Sequence, residues 1–414
     1  MMIKVALYGL IRVEFQWLGA TPRWLGLALL AIGAISSLGG VLWALVQHEL
    51  KRLLAYSSIE NVGIITLSLG ASALFARAGN STWAAIAFAA ALLHVASHAI
   101  FKTLLFLGAG ALQRAAGSLE LDHLGGLLRR MPWTGGAFLV GCMASAGLPP
   151  LNGFASEWLV LQSLVHVVFH QPLGVALAGA AALAGLAATA ALALLCFVKV
   201  LGLVLLGPPR RAECAAAVDP PAGMRASMGF LALMCIALGV LPGLVVPTLF
   251  GLAPGAHGAA LARQAGLILP GTGSYLPLPV GVALAALTVA LIGLRGRRRA
   301  APTPTWVCGQ PVVGALNWSS PAFTKPLRLV LDVVLRPHRE IVVARGGGMV
   351  QSVTYEGHVP SLLDSSVYEP TVRAGLRAAS FARRLQSGNV RTYAGYLLGL
   401  VIGLLILRYT GAFG

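Results

Sequence analysis

The feature that most constrains this chain is a series of apolar runs, each long enough to cross a bilayer. A hydrocarbon core about 30 Å thick is spanned by roughly 20 apolar residues. Runs near that length lie at 2–18, 24–46, 53–75, 83–112, 133–169 (interrupted), 174–206, 227–250, 276–294 and 392–408. Lipid offers no partner to an unpaired backbone group, so such runs are helices. Composition agrees: 57% of the 414 residues are hydrophobic and 10% are charged, too little polar surface for a water-soluble domain. The expected fold class is an all-α polytopic membrane protein of about nine transmembrane helices. One of these is broken, and a cytoplasmic amphipathic segment precedes the last.

A net charge of +17 raises the question of nucleic acid, and its distribution answers it. Along the first eight helices, alternate connections are rich and poor in arginine and lysine. One side holds Lys51, Arg52, Arg114, Arg129, Arg130, Arg210, Arg211, Arg225, Arg295, Arg297, Arg298 and Arg299. The other holds Arg12, Arg23, Arg77 and Arg263. This is the positive-inside pattern, with the richer side cytoplasmic. Basicity reports topology here, and no nucleic-acid partner is expected; the partner it implies is the bilayer.

Cys142, Cys196, Cys214, Cys235 and Cys308 are scattered without a CxxC pair, so neither a disulfide framework nor a metal or iron–sulfur site is expected. No cofactor follows from the sequence. MMIKVALYGLIRV lacks the basic region and cleavage site of a signal peptide. It reads as a helix entered partway along, as in a truncated chain or one piece of a split protein. Arg295-Gly-Arg-Arg-Arg299 and the APTPT that follows end the helical body. In 325–341, Arg328, Asp332, Arg336 and Arg339 or Glu340 form a polar stripe beside Leu327, Val330, Leu331, Val334 and Leu335, an amphipathic helix. A second such segment begins at Pro370, with Arg373, Arg377, Arg383 and Arg384 exposed. A solvated cytoplasmic linker is the competing reading.

Ionisable residues within apolar runs carry the chemistry. Only five lysines stand against 25 arginines, and Lys4, Lys102 and Lys199 lie in or at the edge of such runs, where a charge is most costly. Burial can make a lysine neutral in one state and charged in another, which arginine cannot match. His94-Val-Ala-Ser-His98-Ala-Ile-Phe-Lys102 places three titratable groups on one helical face, about 6 Å of rise apart. That is a stepwise proton path. Two alternatives stand beside it: a metal-binding histidine pair, for which no third ligand is near in sequence, and core histidines bonded to backbone.

Gly147-Leu-Pro-Pro-Leu-Asn-Gly-Phe-Ala-Ser-Glu157 cannot sustain a regular helix. A span broken at membrane depth survives where it is buried or lines a wet cavity, and broken helices mark ion sites in transporters. Glu157 lies just past the break, near the start of the second half-helix, where a carboxylate is favoured. A purely structural kink is the plainer reading. Glu60 and Asn61, in the helix entered through HELKRLLAYSS, are weaker candidates for the same polar axis.

Taken together, HELKRLLAYSSIENVGII, HVASHAIFKTLLFLGAGAL and GLPPLNGFASEWL resemble the antiporter-like proton-conducting subunits of respiratory complex I. The SSIENVGI wording and the single late helix are most similar to the large membrane subunit of hydrogenase-4 and formate hydrogenlyase. The resemblance implies two inverted five-helix repeats, each with a half-channel and a broken helix. Residues 24–206 would be the second repeat and 1–23 the end of the first. Residues 207–299 would add two helices, 300–391 a cytoplasmic-side amphipathic segment related to a lateral coupling helix, and 392–414 the last helix. It further implies that Lys102 with His98 forms the central relay, that Glu157 is the exit carboxylate and that Lys4 bridges the half-channels, with Lys199, near the cytoplasmic end of its span, a weaker candidate. The implied setting is an inner membrane, with partner membrane subunits and a peripheral hydrogenase or dehydrogenase module. The chain would hold no redox centre of its own, although it would belong to an oxidoreductase complex. An Mrp-type cation/proton antiporter subunit and a non-conducting assembly scaffold are the alternatives.

Overall fold

The computed structural model describes residues 2–17, 22–254, 266–268, 273–295, 309, 318–336, 338–346, 349–359, 368–386 and 388–410. Arg263, Arg297 to Arg299, the APTPT segment and Cys308 lie outside them. The chain divides into two units, Met1–Leu327 and Arg328–Gly414.

In the first unit, α1 (Met2–Arg12) runs into a π-helical turn, Val13–Trp17. The long helices α2 (Arg23–Val46), α3 (Leu50–Arg77) and α4 (Ser81–Ala116) follow. A single turn, α5 (Leu127–Arg130), leads to α6 (Pro132–Ser145) and, after an interruption, α7 (Asn152–His170). Next, α8 (Leu173–Val200) ends in a second π turn, Leu201–Leu205. After the short α9 (Ala212–Ala216) come α10 (Ala222–Val240), α11 (Pro242–Phe250), α12 (Pro277–Arg295) and the start of α13 (Ser320–Val330). Among the described residues, seven helices are long and apolar enough to cross a membrane: α2, α3, α4, α8 with its π turn, α10, α12 and the last helix of the chain. Outside this group fall α1, at 11 residues, and the two halves α6 and α7 of the interrupted span.

The packing of α2 on α3 follows from glycine. Gly26, Gly33 and Gly40 recur every seven residues and face Gly63 and Gly70, so the two backbones touch. A Cβ at Gly33 would lie 2.6 Å from the Leu67 nitrogen, and one at Gly63 would overlap the Ser37 backbone. Small residues are what allow helices to approach this closely where lipid supplies no hydrophobic drive. The ends of α4 are fixed locally: Asn80 accepts the N–H of Trp83 at 3.1 Å, and Gly117 closes the helix at φ 67°. That is the conformation glycine adopts without strain. Several polar groups of the core are hydrogen-bonded to backbone, as with Ser68 to the Ala87 carbonyl (2.7 Å) and Ser72 to that of Ala84 (2.8 Å).

The second unit contains α14 (Asp332–Leu335), an antiparallel hairpin of β1 (His338–Gly346) and β2 (Met349–His358), then α15 (Glu369–Leu385) and α16 (Val390–Tyr409). The expected amphipathic helix over 325–341 is thus replaced. It begins earlier, at Ser320, breaks at Leu331, and gives way to a strand at His338. Arg336 sits at φ 42° ahead of Pro337, which cannot continue a helix, and the β-branched run Ile341-Val342-Val343 favours extended backbone. The second amphipathic segment is α15, one residue upstream of its expected start.

Candidate functional site

Four helices bring the candidate residues together. On α4, His94, His98 and Lys102 are buried to 0%, 1% and 3% exposure. Lys102 Nζ donates to the Leu54 carbonyl at 3.3 Å and to Ser57 Oγ, both on α3, and lies 5.9 Å from the centre of the Phe197 ring on α8. Glu60, one turn beyond Ser57, is also buried, and its Oε2 has no protein partner among the described residues. It feels the charges of both Lys102 and Glu157. Asp and Glu are almost never fully buried without a function or a partner.

A cavity of about 360 Å³ joins α1 to this group. It is lined by Lys4, Ser58, His98 and Lys102, with apolar walls from Ile3, Phe106 and Leu107. Both ring nitrogens of His98 lack a protein hydrogen bond among the described residues. Lys4, half-buried on α1, thus lines the same cavity as His98 and Lys102.

His94 has a different environment. Its Nε2 is 3.2 Å from Asn61 Oδ1 and its Nδ1 is 2.9 Å from Ser156 Oγ on α7. Asn61 is oriented by donating its amide to the Ser57 carbonyl at 2.7 Å, which turns its oxygen toward His94. The contacts with Asn61 and Ser156 hold the ring between α3 and α7. Spacing along α4 puts three groups on one face, but only His98 and Lys102 open into the cavity; His94 ties α4 to α3 and α7.

The interruption between α6 and α7 is where the glycine and prolines place it, at residues 146–151. Gly147 has φ 63°, and a Cβ there would run into the Glu157 carboxylate, 3.1 Å from its Cδ. Glu157 sits in the second turn of α7 and turns back against the bare backbone of Gly147. Asn152, which opens α7, exchanges contacts with Ser97 of α4: its carbonyl accepts from Ser97 Oγ at 3.2 Å. Behind the break, α10 closes in through Gly239, where a Cβ would lie 2.4 Å or less from the Leu151 carbonyl carbon and Pro150 oxygen.

Lys199 lies apart from this axis. Its Nζ donates to the carbonyls of Leu45 and Gln47, each at 2.7 Å, closing the end of α2. Ser320 Oγ reaches the same Gln47 carbonyl at 3.4 Å, and its amide donates to Asp122 Oδ1 at 2.6 Å. Sequence reasoning passes over two groups. Ser57 carries no signal beyond its position one helix away from Lys102. Glu14 does: it is a carboxylate inside an apolar run, buried to 1% on the π turn after α1, with both oxygens lacking a protein partner among the described residues.

Comparison with known proteins accords with this geometry. A family model described as NADH:quinone oxidoreductase/Mrp antiporter, transmembrane, matches residues 1–184. An uncharacterized protein of Mycobacterium tuberculosis is 41% identical, the alignment covering 98% of this chain and 66% of that protein. Hydrogenase-4 component B of Escherichia coli is 34% identical, with 98% and 62% covered. Among solved structures, a chain of the membrane-bound sulfane sulfur reductase, an archaeal respiratory membrane complex, superposes with a TM-score of 0.64 at 26% identity, covering 92% of this chain and 56% of its own length. The chain spans about two thirds or less of the length of the relatives it matches. On a bundle that contains a broken helix, residues 1–184 of this chain are similar to the NADH:quinone oxidoreductase/Mrp antiporter transmembrane family.

Proposed function

We propose that this chain is a proton-translocating membrane subunit of a hydrogenase-4-like or complex I-like energy-converting complex. One observation carries the reading: Lys4, His98 and Lys102 line one cavity of an apolar bundle, and the buried carboxylate of Glu60 lies one turn from Ser57, which Lys102 contacts. Titratable groups are thereby strung from α1, through α4 and α3, to the broken helix. Each step is a proton transfer between groups whose charged forms are costly in this setting, so a charge moving at one end changes the cost at the next. Lys4 would receive or pass protons at the α1 side, His98 and Lys102 hold them centrally, and Glu157 release them beside the break. His94, locked between Asn61 and Ser156, positions α4 and α7.

The drive would come from redox chemistry in a peripheral module of hydrogenase or dehydrogenase type, with other membrane subunits alongside, in a bacterial inner membrane. One similar protein is named as a component of hydrogenase-4 and another belongs to an archaeal respiratory membrane complex, which supports the reading. Within it, residues 24–206 form the second antiporter-like repeat.

The test is proton uptake into inverted membrane vesicles driven by the native electron donor. Lys102→Ala and Glu157→Gln should abolish uptake while the assembled complex keeps its redox turnover. Normal uptake in both variants would sink the proposal. The family also includes Mrp antiporters, and the same vesicles separate that reading: sodium-dependent pH changes without any electron donor would favour an antiporter subunit.

A further inference from the structure

The end of the bundle that carries most of the arginines holds a second concave site, unrelated to the proton axis. It is a cleft of about 490 Å³ between α5 and the turn after α8, lined by Arg129, Arg130, Leu128, Leu206 and the Gly207-Pro208-Pro209 turn. We propose that this cleft binds the phosphate of an anionic phospholipid in the cytoplasmic leaflet.

Three observations carry the assignment. The first is charge. In the connection after α8, Arg210 pairs with Asp122 at 3.3 Å and Arg211 with Glu213 at 3.0 Å. Arg129 and Arg130 form no ion pair among the described residues, so the cleft keeps two adjacent guanidinium groups facing an anion of their choice. Guanidinium binds phosphate oxygens bidentately and is weakly hydrated, which suits a site at the membrane surface. The second is the engagement of Asp219 elsewhere. Asp219 spends its oxygens on the amides of Trp133 (3.2 Å) and Thr134 (3.0 Å) and on the Thr134 hydroxyl (2.8 Å). The third is depth. Trp133, 69% exposed and three residues past Arg130, and Leu206, 54% exposed, stand beside the cleft. Exposed tryptophan marks the headgroup level of a bilayer, and leucine beside it suits the upper part of an acyl chain. A basic pocket between transmembrane helices on the cytoplasmic side is the setting in which acidic headgroups are held.

The chemistry recognised is a phosphate monoanion or diester, and free phosphate shares it; the lipid is favoured by the apolar lip and the tryptophan. The experiment uses the full chain in its native complex, purified in detergent and exchanged into nanodiscs of phosphatidylcholine doped with phosphatidylglycerol or cardiolipin. Bound lipid is quantified by mass spectrometry after detergent washing. Retention of the anionic lipids over phosphatidylcholine is expected, and Arg129→Ala with Arg130→Ala should weaken it about twenty-five-fold, from a contribution of about fivefold per arginine. Arg77→Ala, an exposed arginine on the opposite side, should leave it unchanged, and the double lysine variant should keep part of it. Equal retention of all lipids, or the same selectivity in the double alanine variant, overturns the assignment. Binding of inorganic phosphate with no lipid preference overturns the lipid and leaves a free-anion site. Protection of both arginines by a partner subunit, seen as cross-links to an acidic segment of that subunit in place of lipid, overturns it as well.

Discussion

Lys102 Nζ donates to Ser57 Oγ and to the Leu54 carbonyl, and Ser57 Oγ in turn contacts that same carbonyl at 3.1 Å. The central lysine of the axis is thus held by neutral groups of α3, with its carboxylate neighbour Glu60 one turn away. Neutral ligands stabilise an ammonium without trapping it in a tight ion pair. A proton held this way can leave.

Ser57→Ala removes the hydroxyl and leaves the carbonyl. A hydrogen bond to a charged group contributes about 1.5–3 kcal/mol, so the protonated state of Lys102 loses about that much support. Redox-driven proton uptake in vesicles should fall roughly tenfold or more while the complex assembles normally. Ser57→Thr, which restores the hydroxyl, should recover much of the loss. Unchanged uptake in the alanine variant would mean that Lys102 does not use this contact in turnover.

Gly147→Ala tests the broken helix. The new methyl group meets the Glu157 carboxylate, and the backbone at φ 63° costs a non-glycine residue about 1–2 kcal/mol. The carboxylate must move, so uptake should drop nearly as far as in Glu157→Gln, with folded complex still recovered from membranes. Gly136→Ala, in a regular part of α6 with nothing within 4 Å of the new atom, serves as the neutral control.

The contrast between these positions also shows what could be read without coordinates. Apolar runs of spanning length can only be helices in lipid, so the bundle was legible, as was the break at Gly147 and Pro149-Pro150. Buried charge in lipid is rare enough that Lys4, His98, Lys102 and Glu157 stood out by cost alone. Partners across helices were not legible, because spacing along α4 is blind to what α3 and α7 present. Ser57, Asn61 and Ser156 are small polar residues common in any membrane helix, and only packing gives them Lys102 and His94. The hairpin at 338–358 was hidden for another reason. A stripe of alternating charge and apolar residues at 325–341 satisfies a helical period over a short window, while Pro337 and the following β-branched run override it.

Lys199→Met distinguishes a structural lysine from a relay. Removing the ammonium leaves the Leu45 and Gln47 carbonyls without their donor, at about 1–3 kcal/mol for each buried group. The variant should lower the melting temperature of the purified complex and its abundance in membranes, yet pump normally per assembled complex. Full stability with abolished uptake would instead place Lys199 on the proton axis.

Gly63→Ala probes the seam on which the axis is built. Glu60 and Asn61 occupy the turn of α3 that packs on Gly40 of α2, so the spacing of these helices sets how far Glu60 stands from Lys102. A methyl group at Gly63 overlaps the Ser37 backbone, and backbone cannot rotate aside as a side chain would. Overpacking of this kind costs about 1–3 kcal/mol and pushes the helices apart. Both abundance and uptake should fall, abundance by severalfold. Gly39→Ala, whose new atom meets nothing within 4 Å, should do neither. If Gly63→Ala reduced abundance while each remaining complex pumped at the normal rate, the distance between Glu60 and Lys102 would not limit transfer, and Glu60 would lose its place in the path.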